Sequence, residues 1–138
     1  MTRISFYVLK SGQPLDLICR LTEKAYISGQ SVYVHVPSEK TAQQLDERLW
    51  SFRDGSFVPH EFYTGDPEVA AVLIGHDEPP PGKNQILINT GDEVPLFFSR
   101  FERTLELVAG DESQRKNARR RYMFYKDRGY PLESHDIS

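Results

Sequence analysis

Short β-branched runs alternating with stretches of helical period constrain this chain more than any other feature. Ile4, Phe6 and Val8 alternate with Ser5, Tyr7 and Leu9, the pattern of a mostly buried first strand. Ser11, Gly12 and Pro14 make a turn. Leu17, Ile18, Leu21 and Ala25 then recur at helical spacing over about 15–28, and Gly29 stops that helix. Val32, Val34 and Val36 form a second strand, closed by Pro37. Ser38 caps a second helix over about 39–50, with Ala42, Leu45 and Leu49 facing inward. A helical connection returns the chain to the end of the sheet it left, so strand–helix–strand–helix implies parallel pairing. The expected fold is α/β: a three-layer sandwich with a Rossmann-like, mostly parallel sheet flanked by helices.

The later elements extend that plan. AAVLIG (70–75) and QILIN (85–89) read as central strands. Between them Pro79-Pro80-Pro81-Gly82 makes an extended loop. A short helix is expected over 96–101, then a last strand around 105–108 before a final helix. The chain of 138 residues has no internal repeat and no long linker, so one domain is expected. No apolar run approaches the roughly 20 residues that cross a bilayer, and the apolar core of the N-terminus is too short for a secretory signal. A lone cysteine, Cys19, excludes an internal disulfide and fits a reducing cytoplasm.

A Rossmann-like outline invites a nucleotide, but the phosphate cradle is missing. After the first strand the chain reads KSGQPLD, with one glycine where a dinucleotide site needs GxGxxG, and no GxxxxGK[ST] occurs. His35, His60, His76 and His135 stand far apart without HxxxH or CxxC spacing. Nothing marks a nucleophile elbow. The sequence thus points to no catalytic residue, no metal and no cofactor.

Its charge distribution is more informative. Residues 1–112 hold 10 Lys and Arg against 17 Asp and Glu, while residues 113–138 hold 7 against 3. The basic groups are Arg115, Lys116, Arg119, Arg120, Arg121, Lys126 and Arg128, within a stretch whose acidic start and Gly129 predict a helix. Ala118, Tyr122 and Tyr125 form its buried stripe; Arg115, Arg119, Met123 and Lys126 lie to one side. A local basic site on an acidic body suits a short acidic partner with an apolar part. It suits a long nucleic-acid backbone less well. The competing reading is direct single-stranded nucleic-acid binding, with Tyr122, Phe124 and Tyr125 stacking on bases. A solvated basic face is the plain alternative. A second candidate surface is Trp50, Phe52, Phe57, Val58 and Pro59, either a core seal beneath a loop or an aromatic docking patch.

The FYVL strand, the LDERLW helix end, SFVPH, the ILIN strand and the closing ARRRYMFYKDRGYPL occur in an order and spacing that resemble the chi subunit of bacterial DNA polymerase III holoenzyme. The resemblance covers nearly the whole chain. It implies a non-catalytic adaptor that ties the clamp loader, through the psi subunit, to single-stranded-DNA-binding protein by capturing that protein's acidic C-terminal tail, which ends in Pro-Phe. Nucleic acid would be contacted only indirectly. An accessory helicase is a further implied partner.

Carried onto this sequence, the tail site comprises Arg115, Arg119 and Tyr122, with Val108, Met123 and Leu132 as apolar surroundings. The psi site comprises Trp50, Phe57, Val58 and Pro59. A family member carries lysine directly after the tyrosine; here Met123 stands there and Lys126 lies one turn on.

Overall fold

The computed structural model describes residues 1–51, 58–63, 70–82 and 84–137. Its strands are β1 (Arg3–Leu9), β2 (Val32–His35), β3 (His60–Phe62), β4 (Val72–Gly75), β5 (Ile86–Asn89), β6 (Arg103–Val108) and β7 (Leu132–Ile137). They form one sheet in the order β3-β4-β2-β5-β6-β1-β7, every neighbouring pair parallel. The helices are α1 (Pro14–Ile27), α2 (Glu39–Ser51) and α3 (Glu112–Asp127), with a single 3-10 turn at Phe98–Arg100.

Side-chain alternation divides the core into two layers. Val32, Val34, Val72, Ile74, Ile86, Ile88 and Leu105 pack with Ile18, Ala42, Leu45 and Leu49 of α1 and α2. Ile4, Phe6, Tyr33, Leu73 and Leu87 pack on the other face with Phe98, Ala118 and Tyr125. Chirality explains the division. The β1-to-β2 crossover through α1 steps towards β3, whereas β6-to-β7 through α3 steps the opposite way. Right-handed crossovers running in opposite directions lie on opposite faces.

Two strands had no counterpart in the sequence reading: β3 and β7, the two edges. β7 follows α3, so the strand at 103–108 is not the last. The sequence of β7, LESHDI, is polar at four of six positions and has no fully buried residue, as suits an edge that must not template further pairing. It offers no apolar run to detect. The expected strand over 70–75 is shorter at Val72–Gly75, and the short helix over 96–101 contracts to the 3-10 turn.

Both ends of α3 are closed by identifiable bonds. Asp111 is the N-cap, and its Oδ1 accepts from the Gln114 amide at 3.0 Å. At the other end Gly129, at φ +79°, donates to Lys126 O and Tyr130 donates to Tyr125 O. Those two bonds are a Schellman closure, and the Tyr125 and Tyr130 rings supply its apolar contact at 6.4 Å. The basic helix therefore has a fixed length.

Candidate functional site at the basic helix

The rotation of α3 is set by a buried polar knot. Glu106 of β6 is fully buried; its Oε1 accepts from Arg121 Nε at 3.0 Å and from Asn89 Nδ2 at 2.9 Å, and its Oε2 accepts from Tyr125 OH at 2.6 Å. Arg121 also donates to Asn117 Oδ1, to Leu107 O at 3.2 Å and to Asp92 O at 3.3 Å. Burial raises the Glu106 carboxyl above its ordinary range, with Arg121 pulling the other way. Burial and the adjacent Glu106 push the Tyr125 hydroxyl up, so it keeps its proton and acts as donor.

This knot corrects the count of available cations. Arg121 is 6% exposed and belongs to the core, not to the basic surface. Tyr125, fully buried, cannot stack on a base, and Phe124 is half-buried against Phe98 with the Arg128 guanidinium 3.6 Å over its ring. Two of the three aromatics proposed for base stacking are thus engaged inside the molecule.

At 100° per residue, turning Arg121 and Tyr125 inward brings Tyr122, Arg115, Lys126, Arg119 and Met123 onto one flank of α3. Tyr122 is half-buried and meets Phe6 of β1 edge-on, ring centroids 5.4 Å apart. Leu132, which pairs with Ile4 in the sheet, is half-buried in the same apolar cluster. Arg115, Arg119 and Lys126 are exposed, and Met123 retains 47% of its surface. Arg119 Nη2 reaches Glu112 Oε1 at 2.6 Å, but both side chains are more than 60% exposed. Such a pair is weak and readily exchanged for another carboxylate. Val108 differs from expectation: at 8% exposure it supports this cluster from beneath and offers little open surface.

The second surface is only partly as expected. Trp50 is 54% exposed at the end of α2, its ring 4.6 Å from His60. His60 is buried between Val58 O, 2.6 Å from Nδ1, and Asp46 Oδ1, 2.9 Å from Nε2. Val58 is 2% exposed and is a core residue; Pro59 is half-buried. Phe62 on edge strand β3 is 40% exposed, an apolar surface residue that sequence reasoning missed because its strand was too short to detect. Phe52 and Phe57 lie outside the described residues.

Among the described residues no group of three or more His, Cys, Asp or Glu is placed to hold a metal. No helix is long and apolar enough to cross a membrane.

Known proteins resemble this chain over nearly its whole length. The chain is 44% identical over 140 residues to DNA polymerase III subunit chi of Pseudomonas aeruginosa, covering 99% of this chain and 98% of that one. The chi subunits of Haemophilus influenzae and Escherichia coli K12 are each 27% identical, covering 96% and 97% of this chain and 95% and 97% of theirs. The solved structure of T4 UvsW superposes with a TM-score of 0.69 at 8% identity, over 99% of this chain and 41% of that one, a likeness of fold alone. The family model for the DNA polymerase III chi subunit, HolC, matches residues 1–133, and the chain belongs to that family.

Proposed function

We propose that this chain works in the cytoplasm as a non-catalytic adaptor of the replication machinery, with α3 receiving the acidic, phenylalanine-ended tail of single-stranded-DNA-binding protein. The observation that carries this reading is the exposure of Arg115, Arg119 and Met123 beside half-buried Tyr122 and Leu132. The terminal carboxylate or a tail aspartate displaces Glu112 from Arg119 and takes its guanidinium bidentately. The terminal phenyl ring rests against Tyr122, Met123 and Leu132. Arg115, Lys116 and Arg120, all exposed, attract the tail from a distance and raise the association rate. Lys126, exposed on the same flank, supplies the charge that Met123 does not.

The second surface, Trp50 with Pro59, Phe57 and underlying Val58, receives the psi subunit, and an accessory helicase competes for it. Its separation from α3 lets one molecule hold both partners at once.

The deciding experiment titrates a labelled acidic peptide ending in Pro-Phe and a labelled oligonucleotide in parallel at physiological salt. The adaptor reading expects salt-sensitive peptide binding on the order of micromolar, since ordering a short tail opposes the contacts it makes. Tight oligonucleotide binding with no peptide binding would overturn it.

A further inference from the structure

A cleft of about 720 Å³ opens outside the carboxyl ends of β2, β4 and β5, away from the flank of α3 that carries Arg115 and Arg119. Its place follows from topology. The chain leaves β2 towards α2 on one face, and leaves neighbouring β5 towards the Phe98 turn on the other. Connections that part in this way leave a crevice between them, which is where open parallel sheets bind ligands. The volume is within the range of real ligand sites.

The polar groups of the cleft give it a definite chemistry. Asn89 has its amide nitrogen engaged by Glu93 O at 3.0 Å and by Glu106, and its Oδ1 accepts from the Gly91 amide at 3.2 Å. That oxygen also lies 3.1 Å from His35 Nδ1, so the proton of the contact sits on Nδ1, and in the neutral ring Nε2 is an acceptor. Arg100, the one arginine in the lining, is exposed: Nη1 meets Glu78 Oε1 at 2.6 Å, and Nη2 lies near Pro79 O and Pro80 O, a surface pairing that is weak like that of Arg119. Asp92 and Glu93 are exposed, and their carboxylates form no ion pair among the described residues. Beside them Phe97 lies edge-on to His35 at 5.3 Å, and Leu96 is 97% exposed. The cleft thus combines apolar side chains with the carboxylates of Glu78, Asp92 and Glu93 against a single lining arginine, and Arg120 of α3 borders Asp92 and Glu93 across an adjoining hollow.

We propose that this cleft docks a short basic segment of another protein, in which an arginine or lysine adjoins an aromatic or aliphatic side chain. The apolar side chain packs on Phe97 and Leu96, the cation meets Asp92 and Glu93, and a segment N–H donates to His35 Nε2. Phosphate-bearing ligands are disfavoured by the excess of carboxylates over the single lining arginine. The cleft and the flank of α3 that carries Arg115 and Arg119 select opposite charge, so this interaction stands or falls separately from capture of an acidic tail.

The test is an NMR titration of the full ¹⁵N-labelled chain with N-acetyl-Phe-Arg-amide, with N-acetyl-Phe-Glu-amide and adenosine monophosphate run in parallel. The basic dipeptide is expected to shift the amides of Gly91, Asp92, Glu93, Leu96 and Phe97 saturably, and the other two probes are not. A double variant, Asp92→Asn with Glu93→Gln, is expected to weaken the basic dipeptide about fivefold or more. Both side chains are exposed, and it is the backbone carbonyl of Asp92 that holds Arg121, so the thermal midpoint stays unchanged. Equal shifts from both dipeptides, stronger shifts from the nucleotide, or no saturable shift at these amides would overturn the proposal.

Discussion

Arg121 Nε meets Glu106 Oε1 at 3.0 Å, and neither side chain exposes more than 6% of its surface. One of six basic residues on a strongly charged helix is therefore a fold determinant, while its neighbours remain in solvent. Removing one partner of a buried, hydrogen-bonded pair costs about 3–5 kcal/mol, whereas an exposed pair contributes at most ~1 kcal/mol. Arg121→Ala is expected to reduce unfolding stability in urea by the larger amount, and Arg119→Ala by the smaller. Equal effects would show that the Glu106 contact does not anchor α3.

Arg119→Ala should weaken the acidic peptide at least about tenfold, with an unchanged circular dichroism spectrum. The peptide titrations should also lose part of their salt dependence, because one charge contact is gone. A folded variant that binds the peptide like the parent removes Arg119 from the site.

Trp50 and Val58 separate docking from packing. Trp50→Ala deletes a half-exposed ring and is expected to release psi in a pull-down while leaving peptide binding on α3 intact. Val58→Ala opens a space at a site 2% exposed and should cost roughly 2 kcal/mol, read as a lower melting midpoint. Loss of both partners together in Trp50→Ala would indicate unfolding and refute a docking role.

Cys19 carries the clearest pH dependence. Burial, reinforced by the negative charge of Asp16, pushes its thiol from 9.0 up to about 12. The folded value lies above the unfolded one, so its contribution to stability is complete below about pH 9 and is lost as pH rises towards 12. In the native chain at pH 8, Cys19 is expected to react more than about a hundredfold slower with a thiol reagent than in denaturant. Comparable rates would mean that α1 opens readily.

Elements with strong periodicity were legible from sequence, and their failures share a cause. Val32, Val34, Ile86 and Ile88 announce buried strands because both faces of a parallel sheet are covered. The edge strands β3 and β7 carry no such signal, since one side of each faces solvent. The basic flank of α3 was also legible, because helical spacing alone groups Arg115, Arg119 and Tyr122. That Arg121 turns inward was not, because its partner Glu106 comes from another strand and no local rule joins them. Val108 and Val58 were placed at binding surfaces that the resemblance implied, yet the apolar character that suits them to a partner is also what sends a side chain under its neighbours.

The place of β1 between β6 and β7 bears on how the molecule is made. Ile4 must align with Thr104 on one side and Leu132 on the other, partners a hundred or more positions further along. A growing polypeptide on the ribosome thus holds β1 unpaired until translation has almost reached β7. Its apolar ribbon stays a client for chaperones over that interval, and the sheet closes only after synthesis of the C-terminal third.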